Sequence, residues 1–344
     1  NIFHFYKLIY TNILTKLTIF NQKRICLIIY CKQTVKSQIK SWVFLIILSI
    51  IWGSSFLLIK IALMDDAGNL RLSPATLAAL RLSLAFIFLL PLAIIHFKKV
   101  KLKDTPYLLI SGFLGNGIPA FLFAFAELQL SSAVTGMLNS LVPVFTIIIA
   151  VLFFKFIWKI KHVFGIITGI IGTFLIIGID ISQSFSLLPT TPLFMVLSGS
   201  LCYAISLNVI KYKLNHLHPN LITSISFCFI GIPSLLFLWS KDFFSEISNG
   251  EIEKEGLVAA FILALLGTTV AVLIFNRLIK ISSPVFASSI TYLIPVVAVV
   301  FGSLYGEKTT FIQLVGLFIL LFGIVIINID KPFHRIKQVF IFDK

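Results

Sequence analysis

The chain has 344 residues, 58% of them hydrophobic and only 12% charged, with a formal charge of +15 at pH 7 and a mean hydropathy of +1.05. A soluble domain carries about 25% charged residues, so this composition excludes a water-soluble globular protein. The positive balance does not indicate nucleic acid, because the basic residues sit singly between apolar runs and form no contiguous basic face.

Residues 1–41 stand apart. They start at Asn1 rather than Met, carry seven Lys/Arg and no acid, and contain no uncharged apolar stretch with a small-residue cleavage site, which excludes a signal peptide. Residues 3–20 fit a basic amphipathic helix on a membrane surface. Upstream sequence carried into translation fits them as well, and no function is assigned to this extension.

From residue 42 onward, ten apolar runs approach the roughly 20 residues that a membrane span requires: Trp42–Met64, Pro74–Ile95, Tyr107–Phe125, Val134–Phe154, Val163–Ile179, Thr191–Val209, Asn220–Trp239, Gly256–Ile279, Val285–Leu304 and Phe311–Ile329. They are continuous, unlike the alternating strands of a membrane β-barrel. Thirty-five Phe suit helices that face lipid on one side. The expected fold is an all-α integral membrane protein of ten transmembrane helices.

Loop charges orient it. Alternate connections carry Lys98, Lys99, Lys101 and Lys103; Lys155, Lys159 and Lys161; Lys211 and Lys213; Arg277 and Lys280. The C-terminal segment 330–344 adds Lys331, Arg335, Lys337 and Lys344, while the other connections hold only Arg71, Lys241, Lys254 and Lys308. Basic loops stay in the cytoplasm, so both termini are expected inside a plasma or inner membrane.

A repeat runs through the chain. LSSAVTGMLNSLVPVFTIIIAVLF at 130–153 aligns with SSPVFASSITYLIPVVAVVFGSLY at 282–305, pairing Ser131 with Ser283 and Pro143 with Pro295. Nearby, Gly172 pairs with Gly323, Ser55 with Ser206, Lys60 with Lys211 and Trp52 with Tyr203. The units are 42–179 and 191–329. Each holds five spans, an odd number, so the second enters the membrane the other way up, a recurring plan of secondary transporters.

The segments IWGSSFLLIKIAL, RLSLAFIFLLPLA, LNSLVPVFTIIIAVLF and SSPVFASSITYLIPVVAVVFGSLYGE resemble EamA-type members of the drug/metabolite transporter superfamily over residues 42–329. The resemblance implies a ten-helix carrier of metabolites such as amino acids, or of toxic compounds, often outward. One departure stands out. The Gly-Glu usual after the fourth span is Phe154-Lys155 here, whereas the second half keeps Gly306-Glu307.

No hydrolytic, redox, dinucleotide or P-loop motif occurs, so neither enzyme chemistry nor a cofactor is expected. Cys26, Cys31, Cys202 and Cys228 lack metal-ligand spacing. The candidate substrate residues are polar or amphipathic groups inside apolar runs: Trp52, Arg81, Asn139, Tyr203, Asn208 and Tyr292. Individually each also suits a role as glue between helices. Pro143 and Pro295 near span centres are candidate hinges. Arg81 and Lys60 lie in the outer thirds of their spans, where Lys60 can also snorkel to the surface. Glu127 reads as a loop residue, which leaves no acid for proton coupling. The expected partners are a small-molecule substrate and the lipid bilayer, with a homodimer left open. The competing function is a non-transporting scaffold or a membrane-embedded enzyme.

Overall fold

The computed structural model describes residues 39–65, 67–157, 159–177, 190–250, 252–281 and 290–328. The expectations for the N-terminal extension through residue 38 and for the basic tail lie outside these residues.

Among the described residues, eight helices are long and apolar enough to cross a membrane: α1 Ile39–Leu63, α2 Pro74–Phe97, α3 Leu102–Ala126, α4 Ser132–Phe153, α5 Ile160–Ile177, α6 Thr190–Lys213, α7 Pro219–Ser240 and α8 Lys254–Phe275. The last continues to Ile281. Two further apolar helices follow, α9 Ile290–Leu304 and α10 Phe311–Asn328. Each expected apolar run coincides with one helix. The third begins earlier than its hydropathy suggests, because a 3-10 turn at Leu102–Asp104 leads into Thr105.

Local chemistry sets several helix starts. Ser73 precedes α2, its hydroxyl accepting from the Thr76 N–H, and Pro74 occupies the first turn, where its missing N–H costs nothing. Ser131 caps α4 in the same way through the Val134 N–H. Exposed side chains such as Phe153, Phe174, Phe194, Phe318 and Phe322 form an apolar outer surface suited to lipid.

Lipid is as apolar as leucine, so helices in a membrane associate through close packing of small residues. Here Gly172 of α5 and Gly316 of α10 approach so closely that a Cβ on either would come within 2.7 Å of the other's carbonyl oxygen. Gly53 of α1 lies on Val297 of α9, and Gly136 of α4 on Ala298 of α9. Neighbouring pairs between α1–α5 and α6–α10 include α2–α7, α5–α10, α4–α9, α3–α6, α4–α6, α3–α7 and α2–α8, with α1 against α8 and α9. Advancing every helix number by five leaves this set unchanged.

Among the described residues, α3, α4 and α8 depart from regular α-helix. A wide π turn occupies Phe113–Gly117 of α3 and another Leu263–Val270 of α8. In α4 the first helical segment ends at Asn139 and a second begins at Val142. Pro143, read from sequence as a mid-helix kink, sits in the first turn of that second segment. It follows a break instead of bending an intact helix. Pro295 does lie inside its helix.

Candidate functional site

The wide turn of α8 is where the polar residues of other helices converge. The indole N–H of Trp52 donates to the Gly267 carbonyl at 3.0 Å, which gives this midspan Trp the partner a buried N–H requires. One residue on, the Thr268 hydroxyl accepts from Nε of Arg81 at 2.9 Å. π turns inside α-helices are frequent at functional sites, and this one receives a donor from α1 and another from α2.

Arg81 is partly buried, and among the described residues its terminal guanidinium nitrogens have no hydrogen-bond partner. Tyr203 of α6 and Glu127 at the end of α3 are the groups that act on it electrostatically. Aromatic rings continue the wall. Tyr203 stacks on Phe123 of α3 with centroids 5.8 Å apart, Phe123 meets Phe56 of α1 edge-on at 6.0 Å, and Trp52 leans on Phe275 of α8 at 5.3 Å. The structure thus brings Trp52, Arg81 and Tyr203 into one neighbourhood built from both halves of the chain.

The remaining candidates divide. Asn139 ends the first segment of α4, and its buried Oδ1 has no partner among the described residues. Asn208 is buried and donates to the Thr146 and Ala204 carbonyls, both at 2.9 Å, so its amide ties α6 to α4. Tyr292 lies on α9, with its side chain outside those described.

Two basic or acidic residues have surroundings the sequence did not indicate. Lys60 does not reach for the surface: its Nζ donates to the Glu127 carbonyl at 2.7 Å. Glu127 lies in the turn just past α3, as the C-cap residue whose backbone N–H donates to the Phe123 carbonyl, but its side chain is fully buried. The sequence placed Glu127 two residues past the third run, Tyr107–Phe125, and carried no sign of its burial. Thr268 and Phe123 were hidden among many similar residues.

Polar contacts join the halves at both ends of the bundle. At one end, Arg71 donates to Glu253 at 2.7 Å and also to Glu255, with further donations to the Ile61 and Met64 carbonyls. At the other end, His216 lies 3.2 Å from Asp104. Glu307 crosses between halves as well. Its carboxylate accepts from the Ser132 N–H, the Ser132 hydroxyl and the Ala133 N–H at 2.8–3.0 Å, capping α4.

The EamA-like transporter family matches the chain twice, over residues 40–178 and 190–329. The chain belongs to this family. Among its relatives is an uncharacterized transporter of Archaeoglobus fulgidus, 26% identical over 84% of this chain and 98% of that protein. An uncharacterized inner membrane transporter of Escherichia coli, YedA, is 26% identical over 85% of this chain and 92% of its own length. A solved crystal structure matches with a TM-score of 0.55 at 12% identity, covering 83% of this chain and 96% of the other, a likeness of fold alone. Membership agrees with the bundle of apolar helices and makes this EamA-like chain a membrane transporter.

Proposed function

We propose that this EamA-like protein is a secondary transporter of small amphipathic metabolites, amino acids or toxic organic compounds, which it exports from the cytoplasm by alternating access. Its ten helices form two inverted five-helix repeats, 42–179 and 191–329, with both termini cytoplasmic in a plasma or inner membrane. The double family match and the neighbour set that survives a shift of five helices support the repeat.

The observation that carries the substrate reading is Arg81. A guanidinium held by one nitrogen on Thr268, with Tyr203 near it, suits a compound with a carboxylate at one end and an apolar body. Arginine binds carboxylates with a planar fork, and mostly apolar walls with few directed polar groups characterise small-molecule sites. Trp52 and Tyr203 supply the walls and Asn139 an acceptor. The break in α4 before Pro143 and the internal Pro295 of α9 are the hinges. Asn208 holds α6 on α4 during the movement.

Purified protein in proteoliposomes, tested with a panel of labelled amino acids against empty vesicles, checks this reading. Wild type moves at least one acidic or amphipathic member. Arg81→Gln, Trp52→Ala and Tyr203→Ala weaken that flux without loss of folded yield, while the lipid-facing control Phe153→Leu behaves as wild type. Unchanged kinetics in all three site variants would rule the site out.

A further inference from the structure

Glu127 is a buried ionisable group for which the substrate reading gives no role. Its side chain is 0% exposed, and neither carboxyl oxygen has a hydrogen-bond partner among the described residues. Its position at a helix C-terminus adds the negative end of the helix dipole to its surroundings. A charged carboxylate out of water without donors is stable only beside a cation, and each unsatisfied buried group of this kind calls for an explanation.

The charged groups acting on Glu127 are Lys60 from α1, Arg81 from α2 and Glu307 from beyond α9, and Tyr203 from α6 faces Arg81. Glu307 is already engaged by three donors of α4, and Arg81 is anchored on Thr268. Lys60 differs from both. Its ammonium rests 2.7 Å from the main-chain oxygen of Glu127 itself, so torsions of one flexible side chain are enough to carry it to the carboxyl of the same residue.

We propose that Glu127 is the proton-binding group of this transporter and that Lys60 follows its charge. With the carboxyl neutral, the ammonium stays on the carbonyl, as seen here. When the proton leaves to water, the ammonium moves to the carboxylate. A proton arriving from water on one side of the membrane adds to an Oε lone pair and later returns to water on the other side, with no other bond changed. Lys60 belongs to α1, the helix whose Trp52 holds the wide turn of α8, so proton occupancy acts on the contact beside Arg81. This inference rests on the transporter reading above and deepens it by naming the coupling ion.

Two measurements test it. Infrared difference spectra of the purified protein in lipid, between acidic and alkaline pH and with no substrate, show a protonated-carboxyl band that Glu127→Gln lacks and Glu127→Asp restores. Identical difference spectra for wild type and Glu127→Gln overturn the proposal, whatever transport shows. In proteoliposomes with the amino-acid panel, an imposed pH gradient drives accumulation by wild type. Glu127→Gln loses roughly tenfold or more of that accumulation, while exchange of labelled for unlabelled amino acid at equal pH continues and no longer varies with pH. Loss of exchange together with accumulation assigns Glu127 to substrate binding or folding and overturns the proposal, as does accumulation driven by sodium in place of protons. An intact carboxyl band without flux of any panel member supports the proton site and counts against the substrate reading.

Discussion

The hydroxyl of Ser206 in α6 fills the place where a side chain on Gly115 of α3 would go: a Cβ there would come within 2.5 Å of it. The same arrangement recurs between Ser55 of α1 and Gly267 of α8, at 2.8 Å. Both glycines lie in the wide turns of their helices, and Gly267 carries the carbonyl that receives Trp52. At both positions a helix of one half lies directly against a helix of the other, and the second adjoins the turn that holds Arg81 through Thr268.

Gly115→Ala therefore destabilises the bundle by about 1–3 kcal/mol, the usual effect of overpacking. Ser206→Ala removes the obstructing oxygen, and the double variant recovers most of the loss. Thermal unfolding in detergent of the two single variants and the double reads this directly. Additive losses in the double variant would mean that the contact is not the cause.

Arg71 joins the connection after α1 to the start of α8, with its side chain 9% exposed while its partners Glu253 and Glu255 are 55% and 72% exposed. Exposed ion pairs contribute little, so the charge pairing alone is a weak clasp. The donations to the Ile61 and Met64 carbonyls lie deeper. Arg71→Ala lowers the unfolding temperature, and the Glu253→Gln/Glu255→Gln double variant lowers it less. Equal losses would show that the ion pairs dominate.

Glu307 supplies from the second half what the first half of α4 needs, acceptors for its leading N–H groups. Glu307→Ala leaves the Ser132 and Ala133 N–H groups unpaired and costs about 1–2 kcal/mol, the scale of a lost N-cap, whereas Glu307→Gln keeps an acceptor and costs less. Urea or thermal titration in detergent separates the two. The sequence marked Gly306-Glu307 as a retained family feature but not its target, because a cap supplied from another half of the chain leaves no local spacing to read.

Helix positions were legible because the apolar runs are long and interrupted by charge, and a run of Leu, Ile and Phe reads the same in water or lipid. The convergence of Trp52, Arg81 and Tyr203 was legible in part. Each is an uncommon residue for the middle of a span, which singles it out without naming its neighbours. Asn208 drew the same attention and binds the Thr146 carbonyl, since an amide in an apolar run serves packing as readily as a ligand. Glu127 stands at the end of its span as read, but its burial was not legible, because hydropathy treats a charge as the edge of a span and cannot show that the side chain is enclosed.

Orientation has its own check. A reporter fused after residue 103 or 213 reads cytoplasmic, and one inserted within 242–253 reads external. The opposite result at 242–253 would remove the inversion of the second half.

Lys155 provides the last test, because the left-handed reversal that falls on glycine after α9 falls on a lysine after α4, one position past Phe154, the sequence counterpart of that glycine. After α9 the chain reverses at Gly306 with φ +91, and after α4 it reverses at Lys155 with φ +54. A left-handed conformation costs an L-residue about 1–2 kcal/mol through crowding of Cβ against the following carbonyl, and glycine escapes that cost. Glycine also loses more chain entropy on folding, so the net gain is a fraction of the steric term. The Lys155 side chain is exposed, which leaves packing out of the comparison. Lys155→Gly should raise the unfolding temperature by about 1–3 °C, Lys155→Asn should raise it less because asparagine tolerates this region, and Lys155→Val should lower it because a branched Cβ crowds most. Thermal unfolding of the four proteins in one detergent gives the order Gly, Asn, Lys, Val from most to least stable. A valine variant as stable as the glycine variant would show that the reversal after α4 relaxes without strain, and that the Gly-Glu of the second half serves only to place Glu307.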